Sequence, residues 1–443
     1  MRLDKLTLKN FRGFAERSFE FQPQFNLIIG ENGTGKTSVL KGAEVALGVW
    51  EMVADIGEKR PIQNEDIRRI PITAHVVLMT FEPQHPVRVD ALGLLYDRHA
   101  TVSWQRYTET RKAQKKTLIH TATHIPWETA SQIPPYTGIK GSLRERVQSG
   151  ERVELPLIAC YAADRLWSEP SEPVEPNPDE KLHLSRFEGY RDCFHSSSSK
   201  RELNRWIFKQ DIKALKGNGA GIAYGVMKSA ILGCLPHSKD VVMDYDLTQA
   251  AIVFEDGKTV LLDDLSDGQR TMVTLVGDLA RRAITLNPWM GAEVLQQTHG
   301  VVLIDELDLH LHPQWQRRLV DDLRRTFPKL QFICTTHSPF LIQSVRPGEL
   351  IKLDGELVIE PTGRSLEEIV DLIMDVSSPE RSQRHQEMLD TARDYLGLVE
   401  EAKAATPERQ AEIQREVVRL LARFTDNPAY TALLERKGIL TQP

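Results

Sequence analysis

Cysteine is scarce in this sequence, with 4 residues in 443. The four lie far apart and share no zinc-type spacing, which favours reduced thiols over a disulfide framework or a structural zinc site. We expect each of them to be a small, buried apolar side chain in a cytoplasmic protein. They are Cys160, Cys193, Cys234 and Cys334.

An excess of positive charge is also lacking, because 56 Lys and Arg face 62 Asp and Glu, for a formal net charge of -6. No global positive field therefore indicates nucleic-acid binding, and any contact of that kind has to be a local patch. A solvated hairpin tip is the favoured interpretation of the densest basic cluster, with phosphate contact as the alternative. The cluster with its aromatic neighbours comprises Trp104, Tyr107, Arg111, Lys112, Lys115 and Lys116.

Long apolar runs are missing, since no stretch approaches the roughly 20 residues that span a bilayer. The opening MRLDKLTLKNF alternates charged and apolar residues, as a strand does rather than a signal peptide. With 41% hydrophobic and 27% charged residues, the composition is typical of a globular protein with a sizeable core. We therefore expect a protein that is neither exported nor embedded in a membrane.

Hydrophobic patterning predicts an alternation of strands and helices. Strands are predicted at 3–9, 25–29, 157–163, 241–245, 250–254, 260–262, 301–304, 330–335 and 350–359, with an antiparallel meander over 73–108. Helices are predicted at 36–47, 200–235 with a break near 217–221, 266 onward, 314–326, and from 365 to the end. Ser365 and Glu368 form a predicted capping box at the start of this last region.

The first chemical motif is a phosphate loop, with Gly30, four further residues, Gly35, Lys36 and Thr37. Glycines let successive backbone N–H groups face the phosphates, Lys36 reaches the terminal phosphates, and the hydroxyl of Thr37 is offered to a magnesium ion. We assign the whole loop to nucleotide binding, so Asn32, Gly33 and Ser38 are predicted nucleotide-binding residues as well.

The second motif is LSDGQR, residues 265–270, placed directly before an apolar-periodic segment. It is similar to the signature of ABC-type ATPases. Ser266 can cap the helix that follows, and the open N–H groups at the start of that helix would attract an anion. An ordinary helix cap is the alternative for this motif taken alone.

The third motif is an acid pair at the end of an apolar strand, VVLI followed by Asp305 and Glu306. Asp305 would hold the metal, while Glu306 would orient or deprotonate the attacking water. His337 follows the strand predicted at 330–335, from where its imidazole would reach the γ-phosphate and that water.

These motifs in this order resemble the ABC-type ATPases of the SMC, RecF and OLD group. The resemblance implies use of ATP and Mg²⁺, a nucleotide contact by Arg12 within KNFRG, and communication across a dimer by Asp308. Gln63 is the candidate for the metal-contacting Q-loop glutamine. The resemblance further implies a head-to-tail dimer in which Ser266, Gly268 and Gln269 act in trans.

No nuclease centre is visible, because Asp371 and Asp375 lack the other acids of a Toprim site and there is no HNH cluster. Three segments, 186–193, 305–313 and 365–376, look like the stand-alone ATPases of bacterial defence, with Septu ATPases of the PtuA type as the most similar group. That resemblance implies an anti-phage role as a sensor and scaffold for a separate HNH-type nuclease.

The expected fold is α/β, an ABC-type P-loop ATPase head in which a mixed central sheet with helices is joined by an antiparallel β lobe. We divide the chain into an ATPase lobe at 1–104, an insertion at 105–240, a lobe with signature, Walker B and switch histidine at 241–360, and a helical assembly region at 361–443. The alternative function is a RecF- or SMC-like ATPase of DNA repair or chromosome maintenance without a nuclease partner. A transporter ATPase is disfavoured by the SMC-type start and the long insertion.

Overall fold

The structure of the chain is a computed structural model in which Met1–Ile369 and Val370–Pro443 form two compact units. It describes residues 1–54, 59–72, 80–95, 101–109, 116–121, 143–164, 186–194, 200–215, 221–357, 359–376, 391, 393–394, 397–398, 401–402 and 406–421. The two units are described separately below.

Fifteen strands are defined within the described residues. They are β1 Arg2–Phe11, β2 Phe14–Glu20, β3 Phe25–Ile29, β4 Arg69–Ile72, β5 Thr80–Pro83, β6 Val87–Leu94, β7 Val102–Thr108, β8 Lys116–Thr121, β9 Leu157–Tyr161, β10 Ser238–Asp244, β11 Gln249–Phe254, β12 Thr259–Leu261, β13 Gly300–Ile304, β14 Leu330–Thr335 and β15 Leu350–Lys352.

The α-helices of the same ranges are α1 Lys36–Leu47, α2 Trp50–Ala54, α3 Leu143–Gln148, α4 Lys200–Leu215, α5 Gly221–Cys234, α6 Asp267–Leu286, α7 Val294–Gln297, α8 Pro313–Thr326, α9 Pro339–Gln343, α10 Leu366–Glu368 and α11 Pro407–Leu421. Short 3₁₀ segments occur at Asn64–Asp66, Arg186–Tyr190 and Pro288–Glu293, and a π-helical turn at Ile369–Ile373.

The sheet that carries the motifs consists of five parallel strands in the order β15-β3-β14-β13-β9. Four of these strands are buried along their whole length, as expected for apolar strands covered on both faces. Because the carboxyl ends of parallel strands share one edge, the residues that follow β3, β13, β14 and β15 meet there. This edge is where a ligand site is expected in an open parallel sheet.

Antiparallel strands form separate sheets, in the orders β2-β1-β6-β7-β8 and β10-β11-β12, and β4 pairs with β5. The helix α1 packs closely on the first of these, since a Cβ on Gly42 would lie 2.5 Å from Cδ2 of Leu8. At the end of α1, the indole of Trp104 donates to Ala46 O at 2.9 Å and Arg106 donates to Val45 O at 3.0 Å. These bonds fix the C-terminus of α1 to β7.

The predicted ABC-type α/β head is confirmed by this arrangement, and the predicted helical break near 217–221 falls between α4 and α5. All four cysteines are buried thiols. Burial raises the pKa of the Cys234 thiol to about 11. In the parts of the chain that the structure describes, no helix combines the length and the apolar character needed to cross a membrane.

Several predictions fall outside the described residues. They include most of the basic cluster at 111–116 and the segment 168–181, whose many prolines and acidic residues predict a surface loop. The second unit contains α11, which begins after Thr406, as the pair Thr406 and Pro407 predicts for a helix start, and Ile413 on that helix is buried. Helical spacing predicts one apolar face made of Ile413, Val417, Leu420, Leu421 and Phe424. The side chains of the last three residues lie outside the described set. The four-part division of the chain stays a prediction.

Candidate active site

The phosphate loop joins β3 to α1 and depends on its glycines. Gly33 and Gly35 have φ values of 88° and 101°, a region that L-residues with a Cβ rarely adopt. A Cβ on Gly35 would also lie 2.7 Å from Cζ of Phe14. Asn32 and Gly33 are exposed, while Ser38 is half-buried at the start of α1. The loop residues predicted from the motif therefore form a turn that opens to solvent at the start of a helix.

Lys36 lies beneath the loop with its ammonium turned back on the loop itself. Its Nζ donates to Gly30 O at 2.7 Å and to Glu31 O at 2.9 Å. Burial lowers the pKa of Lys36, against the opposing attraction of Asp354 and of the two acids that follow β13. The side chain is thus held against the loop by two backbone carbonyls.

Thr37 and Asp305 meet directly, although they are 268 residues apart. The hydroxyl of Thr37 donates to Oδ2 of Asp305 at 2.8 Å, and the hydroxyl of Thr335 donates to the other oxygen, Oδ1. A threonine hydroxyl beside a carboxylate at a helix N-terminus is a suitable donor set for Mg²⁺, which prefers hard oxygen ligands. The structure therefore brings together two of the three residues predicted to contact the metal, Thr37 and Asp305, without Gln63.

Glu306 is positioned by the same threonine. Its backbone N–H donates to Oγ1 of Thr335 at 2.8 Å, and the next N–H, that of Leu307, donates to Thr335 O at 2.9 Å. Glu306 has a φ of 49°, an uncommon backbone conformation for a residue with a side chain. Such conformations concentrate at functional sites, and this one turns the chain sharply after β13.

The segment after Glu306 is bonded to the segment after β14. Thr336 donates from its hydroxyl to the carboxylate of Asp308, and Gln316 Nε2 donates to Leu311 O at 2.9 Å. Ser338 completes the connection by donating to Oε1 of Gln316 at 2.6 Å. His337 lies between these anchored neighbours and is exposed, so its ring is available to a ligand at this edge.

The signature residues form the start of α6. Oγ of Ser266 accepts from the N–H of Gln269 at 3.4 Å and donates to its Oε1 at 2.9 Å, a reciprocal cap that leaves Ser266 exposed. Gly268 is buried against the turn after Asp308, where a Cβ would lie 2.6 Å from His310 O. This close approach requires a glycine, so the signature and the Asp308 segment are packed together in one chain.

A buried charge network connects α6 to the five-stranded parallel sheet. Asp278 is contacted by the guanidinium groups of Arg281 and Arg282, at 2.6 and 2.7 Å. Burial opposes ionisation of Asp278, but these two cations outweigh it and hold the pKa of the carboxyl well below its usual value. The hydroxyl of Tyr161 donates to Asp278 Oδ2 at 2.7 Å, and Tyr161 O accepts from the N–H of Asp305 at 2.8 Å.

Arg12 and Gln63, both predicted from the resemblance, belong to a second cluster. Nε of Arg12 donates to Oδ1 of the buried Asp66 at 2.9 Å, and the Gln63 N–H donates to Oδ2 of the same carboxylate at 2.9 Å. Arg60 joins Asp66 to Glu44 on α1. The nucleotide contact of Arg12 and the metal contact of Gln63 stay predictions, because the bonds described here lead to Asp66.

Three residues of the site were missed by sequence reasoning, namely Thr335, Tyr161 and Asp278. Thr335 sits at the end of an apolar strand, two residues before the predicted switch histidine, and a hydroxyl at such a strand end is a usable signal. Asp278 lies within a mostly apolar stretch of α6 and is followed at three and four residues by arginines, which is the spacing of helical ion pairs. Tyr161 offers no signal beyond its place at the end of β9.

Comparison with known proteins gives two family models. One described as "AAA domain, putative AbiEii toxin, Type IV TA system" matches residues 162–343, and one described as "AAA domain" matches residues 5–217. Together they include the phosphate loop, the signature and the acid pair. Each covers less than half of the chain.

Curated relatives include proteins of bacterial retron and Septu systems as well as RecF and Rad50 proteins of DNA repair. The retron Ec83 probable ATPase of Escherichia coli is 44% identical, over 78% of this chain and 70% of that protein. The retron Vc95 probable ATPase of Vibrio cholerae is 46% identical over 24% of this chain, and the Septu protein PtuA of Bacillus mycoides is 36% identical over 26%. These two matches span only 20% and 15% of the relatives' lengths. The chain belongs to the family of ABC-type ATPases of the SMC, RecF and OLD group that includes the retron Ec83 probable ATPase.

Proposed function

We propose that the chain binds Mg²⁺–ATP at the carboxyl edge of its parallel sheet and hydrolyses it in a head-to-tail dimer. In our proposal the dimer works in the cytoplasm as the sensor and scaffold of a separate, HNH-type nuclease in anti-phage defence. The observation that carries the hydrolytic part is the contact of Thr37 with Asp305, beside Glu306, at the mouth of the phosphate loop. This is the donor set that phosphoryl transfer from a magnesium nucleotide requires.

The chemical roles follow from the positions of the side chains. Thr37 and Asp305 would hold the magnesium ion, which neutralises phosphate charge when it is bound. Lys36 exchanges its bonds with the loop carbonyls for the terminal phosphates. The carboxylate of Glu306 orients the attacking water and takes its proton, and His337 donates to the γ-phosphate or that water from its exposed position after β14.

Dimerisation is supported by the exposed cap of α6. Ser266 is exposed at the start of a helix of 20 residues, whose free N–H groups favour an anion. In our proposal this cap meets the γ-phosphate held by the loop of a second copy, with Gly268 and Gln269 beside it and Asp308 near the interface. Each copy then completes the site of the other, and ATP turnover is coupled to closure and opening of the pair.

The nuclease partner is supported by the relatives named for retron and Septu systems. The second unit, Val370–Pro443, is available in our proposal for assembly, and the apolar face of α11 is the part that would hold a partner. A nucleic-acid ligand of the complete assembly belongs to the same proposal. The alternative is a RecF- or SMC-like ATPase that acts on DNA alone.

Co-expression with the neighbouring open reading frames distinguishes the defence function from the DNA repair or chromosome function. We expect an HNH protein to co-purify with the chain, and its nuclease activity to change with ATP in the parent but not in Lys36→Ala. Substitution of Leu420 and Phe424 by Asp should abolish co-purification and leave ATP binding intact. Neighbouring genes of replication or recombination, with ATPase activity stimulated by DNA and no co-purifying nuclease, would instead favour the repair ATPase.

A further inference from the structure

The chain after β15 is fixed beside the phosphate loop. The N–H of Leu353 donates to Ile29 O, the last residue of β3, at 3.0 Å. From the other side, Arg17 donates through Nη1 to Leu353 O at 2.7 Å and through Nη2 to Lys352 O at 3.3 Å. These bonds place Asp354 against the first turn of the loop.

The two carboxylate oxygens of Asp354 have different surroundings. Oδ2 accepts from the N–H of Glu31 at 2.5 Å. Oδ1 is buried and has no hydrogen-bond partner among the residues that the structure describes, and a Cβ on Gly30 would lie 3.4 Å from it. A buried carboxylate oxygen without a donor is costly, so its presence needs an explanation other than stability.

The explanation lies in the charge of Lys36. Its ammonium is bonded to the carbonyls of Gly30 and Glu31, and the N–H of Glu31 is the group that donates to Asp354. The carboxylate and the ammonium therefore lie on the same segment of the loop, and the negative charge of Asp354 attracts the cation. Triphosphate has to draw the cation away from these carbonyls and to approach the same carboxylate, whose charge has the sign of its own.

We infer that Asp354 is a gate on nucleotide binding, a fixed negative charge that holds Lys36 on the loop and opposes the phosphates. The inference rests on the proposed function, because it requires a polyphosphate at this loop. Asp354 acts through Lys36 and through repulsion of the incoming anion, so it is a positioning residue and takes no part in the chemical step. Removal of the Asp354 charge should therefore tighten nucleotide binding. The gain should be larger for ATP than for ADP, because ATP carries more phosphate charge.

Asp354→Asn is the sharpest test, since the amide keeps an oxygen for the Glu31 N–H and removes the charge. We expect affinity for ATP to rise about tenfold and affinity for ADP to rise by a smaller factor, measured by calorimetry with Mg²⁺ on the full chain. Glu20→Gln is the matched control. It makes the same change in net charge at a side chain that is 79% exposed at the end of β2. It should leave the affinities for ATP and for ADP unchanged.

Equal gains for ATP and ADP, no gain, or weaker ATP binding in a folded Asp354→Asn variant would overturn the gate. If that variant does not fold, Asp354→Ser removes the charge with a smaller side chain and is judged by the same comparison of the two nucleotides. A parent chain with no measurable affinity for either nucleotide would overturn the proposed function, and the gate with it. Parent binding that is lost in Lys36→Ala, without a gain in Asp354→Asn, would overturn the gate alone.

Discussion

The hydroxyl of Thr37 donates a hydrogen bond of 2.8 Å to the carboxylate of Asp305. Thr37 is the second residue of α1, the helix after the phosphate loop, and Asp305 follows β13, a different strand of the parallel sheet. Their contact depends on the parallel register of β3, β14 and β13, which aligns the carboxyl ends of the strands. The metal site expected at the phosphate loop is therefore complete only when the parallel sheet is formed.

Lys36→Ala should lower ATP affinity by about 100-fold, because a charge-assisted contact to the terminal phosphates is lost. Calorimetry of the folded variant measures this change. Lys41→Ala, which removes the same charge one turn further along α1, is the control and should bind ATP like the parent. Unchanged affinity in Lys36→Ala would remove this residue from the binding site.

Glu306→Gln should keep ATP binding and slow hydrolysis by about 100-fold or more, because the amide cannot take the proton of the attacking water. Single-turnover phosphate release, set beside the ATP dissociation constant, separates the two effects. Near-normal turnover in this variant would contradict the assignment of Glu306 to the water-activating role.

Thr335→Val should slow hydrolysis by about tenfold with little change in ATP binding. The valine has the shape of threonine, but it neither donates to Asp305 nor accepts from the N–H of Glu306, and one such bond is worth about 1 kcal/mol. Thr335→Ser retains the hydroxyl and should turn over at nearly the parent rate. If the serine variant is as slow as the valine variant, packing rather than the hydroxyl explains the effect.

Ser266→Arg should be inactive alone, because it places bulk where the γ-phosphate of the opposing copy would lie. Mixed with Lys36→Ala, it should recover about a quarter of the parent activity, since half of randomly paired dimers have one intact composite site of two. ATPase assays on the mixture, with heterodimers verified by differential tags, give the result. No recovery in verified heterodimers would argue against a site shared between two copies.

Asp278→Asn should cost about 3 kcal/mol of the free energy of unfolding, because it leaves Arg281 and Arg282 buried without their shared carboxylate. The pKa of Asp278 is held below its ordinary value in the folded chain, so its contribution is present above about pH 4 and is lost as the pH falls further. Urea unfolding of parent and variant should differ by a constant amount from about pH 5 to 8.

Asp321→Asn is the control for this effect, since its side chain is 69% exposed beside Arg324. It should change stability by less than about 0.5 kcal/mol. A gap between parent and Asp278→Asn that widens below about pH 4 would contradict the assigned ionisation state.

The sequence was informative where an apolar run or a cap determines an element locally. The run of β13 and the reciprocal cap of Ser266 with Gln269 are both found where the pattern predicts them. β2 was not predicted, because one of its faces is exposed and polar and its strand character comes from pairing with β1. The strand predicted at 350–359 is found only at Leu350–Lys352, since the chain turns at Asp354 and Gly355 beside the loop.

Within the site, motif spacing predicted Lys36, Thr37, Asp305 and Glu306, whereas the residues that position them were not predictable in the same way. Thr335 reaches Asp305 through neighbouring parallel strands, and Tyr161 reaches Asp278 across 117 residues. Such contacts depend on strand order and register, which one sequence does not reveal. The position of Asp354 beside the phosphate loop could not be predicted for the same reason, because β15 is next to β3 in the sheet but far from it in the sequence.

The close packing of Gly268 on the carbonyl of His310 has a consequence for the energetics of association. Ordering a flexible segment at an interface typically costs about 0.5–1.5 kcal/mol for each immobilised side chain. Here the two segments that would face a second copy already pack against each other in the single chain, so less conformational entropy would be lost on association. If two copies close around ATP, the nucleotide itself supplies most of the change in free energy, and the lifetime of the closed pair follows the lifetime of the triphosphate.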